Sequence, residues 1–399
     1  MIIGTFPVKQ LNAIETPFYY YDMSVLRDTL RELLVEASEP NWRVHYAVKA
    51  CATKPILQTI AANGIGADCV SGGEIKAAIE AGFSPDKIVF AGVAKTDKEI
   101  LYALRQGILC FNVESLEELH VISQLAIETQ TRARVCLRVN PNIDAHTHEK
   151  ITTGLSENKF GIPISFLQQA ISLCYRLPSI DFLGLHFHLG SQITDMQPFV
   201  QLADKVNELV HMIEQWTCRN ERGETEPVVV RHINVGGGLG ILYEHPNHFP
   251  IPNFKDYFAL WRTHLQLRAD QYLHFEPGRS IVAQCGNLMT RVLYVKHGEN
   301  KQFAIVDAGM TDLIRPALYG AYHRVENLTH PDADEQLYDI VGPICESSDV
   351  FAKGYSIAAV QRGDLLVMRS AGAYGEIMAS QYNLRRLPGH VISDDLQNI

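Results

Sequence analysis

Short apolar runs, several of them rich in β-branched residues, alternate with stretches of helical apolar spacing along the first 285 residues. Eight of the runs read as strands, at 44–48, 65–70, 88–91, 109–113, 134–139, 182–188, 229–235 and 272–276. Between consecutive runs there is room for a helix. Three of these helices open directly after a strand with the residues of a capping box: Ser71 with Glu74, Thr96 with Glu99, and Ser115 with Glu118. In such a box each side chain takes a backbone N–H of the first turn that would otherwise lack an acceptor. Phe199, Leu202, Val206, Leu209 and Ile213 share one face of a later helix. A helix over 24–37, with Leu26, Leu30, Leu33 and Leu34 on one face, precedes the first strand.

Regular alternation of strands and helices implies a parallel sheet, because parallel neighbours need a crossover connection. A count of eight favours a closed barrel over an open doubly wound sheet. The alternation stops near residue 285, and strand-like segments follow at 288–295, 302–307, 337–341, 357–360 and 364–368, separated by turns. The run at 17–21 is expected to pair into that second region. The expected fold is therefore α/β. A TIM-like (β/α)8 barrel spans residues 33–285, and residues 1–32 and 286–399 build a mostly-β domain.

Composition narrows the function classes. The chain carries 35 basic and 45 acidic residues, a formal net charge of −10. Nucleic acid and anionic membrane surfaces need a basic footprint, so neither is expected as a partner. No apolar run is long enough to span a bilayer, and MIIGTFPVKQLN has no apolar core behind a basic start, so no signal peptide is read. The eight cysteines are scattered singly, which fits free thiols in a reducing compartment and points to the cytoplasm.

Barrel active sites sit at the C-terminal strand ends, which directs attention to a few residues. Lys49 follows the first strand in HYAVKA. An amine at an apolar barrel mouth can be desolvated and made nucleophilic toward a carbonyl, although a lysine just past a strand can equally be a plain surface residue. After the seventh strand comes NVGGGLGI, with Gly236, Gly237, Gly238 and Gly240. Barrels often bind phosphate on the loops after strands seven and eight, and glycines let backbone N–H groups approach it; a tight turn would use the same residues. EPGRS follows the eighth strand, offering Glu276 to a pyridine nitrogen and Arg279 to an anion, or the two to each other as a surface ion pair. His186 and His188 alternate along the sixth strand, which suits a metal pair, a ring stacked on a cofactor, or barrel packing. Cys345, in GPICESSD, has Glu346 and Asp349 close by. Neighbouring carboxylates favour the thiol over the thiolate and suit a proton donor better than a nucleophile.

In combination the motifs YAVKA, SGGE, RVNPN, TGLSENKFGI, HFHLGSQI, GGGLG, EPGRS, CESSD and AGAYG resemble the fold-type III pyridoxal-phosphate decarboxylases. The likeness runs from Thr16 to the SQYN at Ser380, and residues 153–162 with CESSD point to the diaminopimelate branch. The resemblance implies pyridoxal 5′-phosphate as cofactor and an amino acid as substrate. It makes Lys49 the residue that binds the cofactor covalently and sets His188 against its ring. Ser191, Gly237, Gly238, Gly278 and Arg279 would hold the phosphate, Tyr374 would touch the cofactor, and Glu276 would meet the pyridine nitrogen. Arg279, Arg315, Tyr319, Glu346 and Tyr374 match substrate contacts, and Cys345 matches the proton donor. It further implies a homodimer with shared active sites, in which Cys345 and Glu346 enter the partner's site. Cys51 departs from the family, which usually has Asn after YAVKA.

Three other readings compete. A racemase of the same fold would set an arginine, not Glu276, against the pyridine nitrogen. A metal-dependent hydrolase would need ligands beyond His186 and His188, and Glu276 is the one carboxylate candidate on the last strand. A non-catalytic homologue would have lost site residues that are present here. Within the decarboxylases, ornithine, arginine or carboxynorspermidine-type substrates are the alternatives to meso-2,6-diaminopimelate, whose decarboxylation forms lysine.

Overall fold

The computed structural model describes residues 6–144 and 159–398, and divides them between two compact units. The larger comprises Arg31–Gly240 and Asn253–Gly278, the smaller Met1–Leu30, Ile241–Pro252 and Arg279–Ile399.

The larger unit is a closed parallel barrel. Its strands are Trp42–Ala47, Gly66–Cys69, Ile88–Phe90, Cys110–Val113, Ala133–Asn140, Ile180–His186, His232–Asn234 and Tyr272–Phe275. Each pairs in parallel with its neighbours, the first with the eighth and the fourth with the fifth, so these eight strands close into a ring. All eight lie on the expected runs, with ends moved by a few residues. The sixth strand ends at His186 and not at 188. Beyond it the chain turns through Gly190, whose φ of 146° is open to glycine. His188 therefore stands on the following loop, and the expected strand alternation with His186 does not apply.

Helix starts follow the expected residues with one refinement. Thr96 and Glu99 form the full reciprocal box. Ser71 and Ser115 accept the N–H of Glu74 and Glu118 as predicted. The two glutamates instead reach one residue further back, to the N–H of Val70 at 2.7 Å and of Glu114 at 2.7 Å. Each thereby ties the strand end to the helix. The outer layer packs through aromatic rings: Phe258 and Trp261 of the helix Phe254–His264 meet Phe275, and Trp42 meets both Phe258 and Phe275. Rings of this size supply most of the apolar area that fixes a helix on a strand.

Polar residues occupy part of the barrel. His45, His274 and His232, on strands one, eight and seven, form a hydrogen-bonded chain with links of 2.8 and 2.9 Å. Burial pushes all three toward the neutral imidazole, His232 down to about 4.

The smaller unit is built on one long strand, Gly286–His297. Phe18–Tyr21, Leu365–Met368 and Gln302–Val306 pair antiparallel along it. Glu335–Val341, Val350–Ala358 and Val325–Asn327 extend the sheet, and Gly389–Ile392 lies parallel to Phe18–Tyr21. The N-terminal run thus joins the β sheet as expected. Leu11, Phe18, Tyr20, Met289, Leu365, Val367 and Leu396 form its core.

Candidate active site

Lys49 sits in the 3₁₀ turn Val48–Ala50, directly past the first strand. Its ammonium meets Asp68 Oδ2 at 2.6 Å, from the end of the second strand. The amine is thus not isolated, as desolvation alone would have it: its side chain is 33% exposed and its counter-ion is buried. Burial first, and the charge of Glu276 second, raise the pKa of Asp68, while Lys49 opposes them. Asp68 Oδ1 is buried without a hydrogen-bond partner among the described residues. The pair is therefore a cation held at the barrel mouth with spare acceptor capacity beside it.

Glu276 follows the eighth strand and is buried. Oε1 accepts from Asn234 Nδ2 at 2.6 Å and Asn112 Nδ2 at 3.2 Å, and Oε2 lies 3.1 Å from His186 Nε2. Burial alone would favour the neutral acid. The facing His186, through charge and hydrogen bond, and then Lys49 outweigh it and hold the carboxyl below the usual range. A buried carboxylate that stays ionised at a strand end can keep a ring nitrogen protonated. His186 Nε2 is thus engaged with Glu276, whereas His188 Nδ1 accepts the Gly237 N–H at 3.2 Å. The two histidines do not converge as a metal pair would. Burial, with Arg138 and Lys49, pushes His188 well down, so its imidazole is neutral.

The loop after the seventh strand is cross-tied to the loop after the sixth. Ile193 N–H donates to Gly238 O and Gly240 N–H to Ile193 O, each at 2.9 Å. Packing demands the glycines here: a Cβ at Gly237 would lie 2.1 Å from the Glu276 carbonyl oxygen, and Gly238 has φ of 110°. Backbone from three successive strand ends thereby crowds together without side chains, beside Ser191 and Gly278. Such a surface suits a phosphate. Amine, ionised carboxylate, neutral imidazole and bare backbone are the donor set a pyridoxal phosphate needs.

Residues 153–158 of the TGLSENKFGI stretch lie outside the described residues. Its end is anchored: Gly161 N–H donates to Glu114 Oε2 at 2.8 Å, and the Phe160 ring lies 4.7 Å from the Arg138 guanidinium.

In the smaller unit Arg279 and Arg315 are both buried, 5% and 4% exposed. Their Nη1 atoms converge on the phenol oxygen of Tyr243, at 2.6 and 2.9 Å. The Arg279 guanidinium lies 4.9 Å from the ring centre of Tyr374, a residue at φ of 57°. Tyr319 ends the short helix that starts at Arg315. Cys345 and Glu346 are exposed, and the structure does not bond them to these arginines. Cys345 N–H donates to Asn383 Oδ1 at 3.1 Å, and Tyr382 Oη donates to Glu346 Oε1 at 2.6 Å. Sequence reasoning missed Asp68, Asn112, Asn234, Tyr243 and His323. Asp68 and Asn112 share a signal that could have found them: a lone polar residue inside an otherwise apolar barrel strand.

A family model described as the pyridoxal binding domain of pyridoxal-dependent decarboxylases matches residues 28–283. The diaminopimelate decarboxylase of Bacteroides thetaiotaomicron is 55% identical over 394 residues, covering 98% of this chain and 99% of the relative. The chain belongs to the diaminopimelate decarboxylase family. Two crystal structures agree with this decarboxylase in fold. Diaminopimelate decarboxylase from Helicobacter pylori complexed with L-lysine is 38% identical, with a TM-score of 0.88 over 97% of this chain and 94% of its own. The enzyme from M. jannaschii in co-complex with L-lysine is 32% identical, with a TM-score of 0.83 over 98% and 90%. This decarboxylase accordingly depends on pyridoxal phosphate and is a carboxy-lyase.

Proposed function

We propose that this decarboxylase converts meso-2,6-diaminopimelate to L-lysine and CO2, the lysine-forming step of amino-acid biosynthesis. The observation that carries the substrate is Arg315: a guanidinium 4% exposed, with Nε lacking any partner and no carboxylate within ion-pair distance among the described residues. A cation so buried calls for an anion from a ligand, and a planar guanidinium matches a carboxylate. Diaminopimelate carries a second amino-acid head group at its distal end; ornithine, lysine and arginine do not. The chemical test is stoichiometric release of CO2 and L-lysine from the meso isomer by the purified holoenzyme.

In this reading Lys49 would hold the cofactor through its amine, His188 would meet its ring, and Glu276 would keep the ring nitrogen protonated. Ser191, Gly237, Gly238, Gly278 and Arg279 would take the phosphate, and Tyr374 would touch the cofactor. Pyridoxal phosphate, when bound, supplies a sink for the electron pair left by departing CO2. Arg279 and Arg315 hold the distal carboxylate, Tyr319 and Tyr374 line the substrate, and Glu346 takes the distal ammonium. Cys345 gives a proton to the carbon that lost CO2. Borohydride reduction of the holoenzyme followed by peptide mapping should place the label on Lys49. A label on any other lysine would remove the assignment.

Cys345 and Glu346 act in this proposal across a homodimer, one protomer completing its partner's site, in the cytoplasm where its thiols stay reduced. Their exposure in the single chain supports that role. Co-expressing Lys49→Ala with Cys345→Ala chains should regain activity, since a hybrid dimer holds one intact site. Random pairing sets the ceiling at about a quarter of wild type. No recovery from dimers shown to be hybrid would mean that each chain uses its own Cys345.

A further inference from the structure

Tyr243 stands just past the glycine-rich loop, and Arg279 and Arg315 both converge on its phenol oxygen. A phenol oxygen carries one hydrogen and can accept two. Both acceptances are used, by Arg279 Nη1 at 2.6 Å and Arg315 Nη1 at 2.9 Å. The hydrogen itself has no acceptor among the described residues. Tyr243 is 7% exposed, and its ring packs edge-on against His323 at 5.2 Å. His323 Nε2 stands 3.2 Å from Arg315 Nη1, and its Nδ1 lies 2.9 Å from the Arg369 carbonyl oxygen. A carbonyl can only accept, so the proton belongs on Nδ1 and Nε2 accepts from Arg315. Burial, with Arg315 second, pushes His323 down to about 3, so the ring adds no charge of its own.

Arg315 is therefore aimed by two neutral acceptors, one of which it shares with Arg279. Its Nε remains buried and unbonded among the described residues. Building on the reading that this pair takes the distal carboxylate, we propose that Tyr243 is a specificity-determining residue of the substrate site. It holds the two guanidiniums on a common point and gives its own hydroxyl hydrogen to the carboxylate they bind. Burial would raise the pKa of Tyr243, but the two guanidiniums more than offset it, which makes the phenol a stronger hydrogen-bond donor than an ordinary tyrosine. The same arrangement rejects an ammonium. Such a group would face two cations and an oxygen whose lone pairs are already occupied.

Tyr243→Phe keeps the ring against His323 and beneath the Arg315 guanidinium, which lies 5.2 Å from its centre, and removes only the oxygen. Two ligands separate a carboxylate effect from a general loss of structure. L-Lysine retains the distal amino-acid head group, and 1,5-diaminopentane is the same chain without the carboxylate. Calorimetry on the holoenzyme should show Tyr243→Phe binding L-lysine about tenfold more weakly, with 1,5-diaminopentane unchanged. Equal weakening of both ligands would make Tyr243 a packing residue and overturn the proposal. So would unchanged lysine affinity in Tyr243→Phe alongside a loss in Arg315→Ala. Unchanged lysine affinity in Arg315→Ala would instead overturn the carboxylate reading beneath it, and the proposal with it.

Discussion

Glu276→Gln should lower kcat by roughly 100- to 1000-fold while leaving the protein folded and able to take up cofactor. The carboxylate is buried and accepts from Asn112, Asn234 and His186. A glutamine can point its oxygen at the two asparagine amides and its NH2 toward His186, provided that imidazole takes the tautomer with Nε2 free to accept. Most of the hydrogen bonding is then restored, and the change removes chiefly a charge. That charge is held ionised against burial by His186 and Lys49, so it is available to keep the ring nitrogen of the cofactor protonated. Losing it weakens the electron sink at the step where CO2 departs, so the effect belongs in kcat more than in KM. Steady-state kinetics, with cofactor content and melting temperature measured on the same samples, decides the matter. A glutamine variant of near wild-type kcat would show that the ring nitrogen needs no anion.

The barrel was legible because its strands are buried on both faces, and short apolar runs between helical stretches leave little else for the chain to do. Ends were less legible. The seventh strand was expected over 229–235, yet only His232–Asn234 pairs regularly with the strands beside it. Two strands of the smaller sheet were not expected from the sequence. Val325–Asn327 holds Glu326, which pairs with Arg324 and Arg369, and Asn327, which bonds Asp364. Gly389–Ile392 is half exposed, and it pairs with Phe18–Tyr21, more than 350 residues away along the chain.

At the site, Lys49 and Glu276 could be found because a charged residue directly after an apolar barrel strand is conspicuous. Asp68 was missed for the opposite reason: inside GADC it reads as a polar interruption, whereas tertiary structure makes it the counter-ion of Lys49. Tyr243 and His323 could not be read from spacing. Tyr243 lies 36 and 72 positions from the arginines it joins, and no periodicity reports a contact at that separation.

Against lysine, ornithine and arginine, meso-diaminopimelate should be preferred in kcat/KM by about 10⁴-fold. The argument is one of charge. Each of those three, bound for decarboxylation, presents a cationic distal group to Arg279 and Arg315, two buried guanidiniums already sharing one neutral phenol. Cation would meet cation where little water can screen it, and Arg315 would be left without its anion. Lysine escapes the penalty only by entering the other way round, with its amino-acid head group on the arginines. It then offers no carboxylate at the reacting end, so it should inhibit competitively and not react. Arg315→Ala should therefore lower kcat/KM for meso-diaminopimelate by roughly 10- to 100-fold and relax the discrimination against ornithine. Competition assays with all four amino acids, on wild type and on the variant, check both statements. Ornithine or lysine turned over as well as meso-diaminopimelate would leave a pyridoxal-dependent decarboxylase in place and remove its proposed substrate.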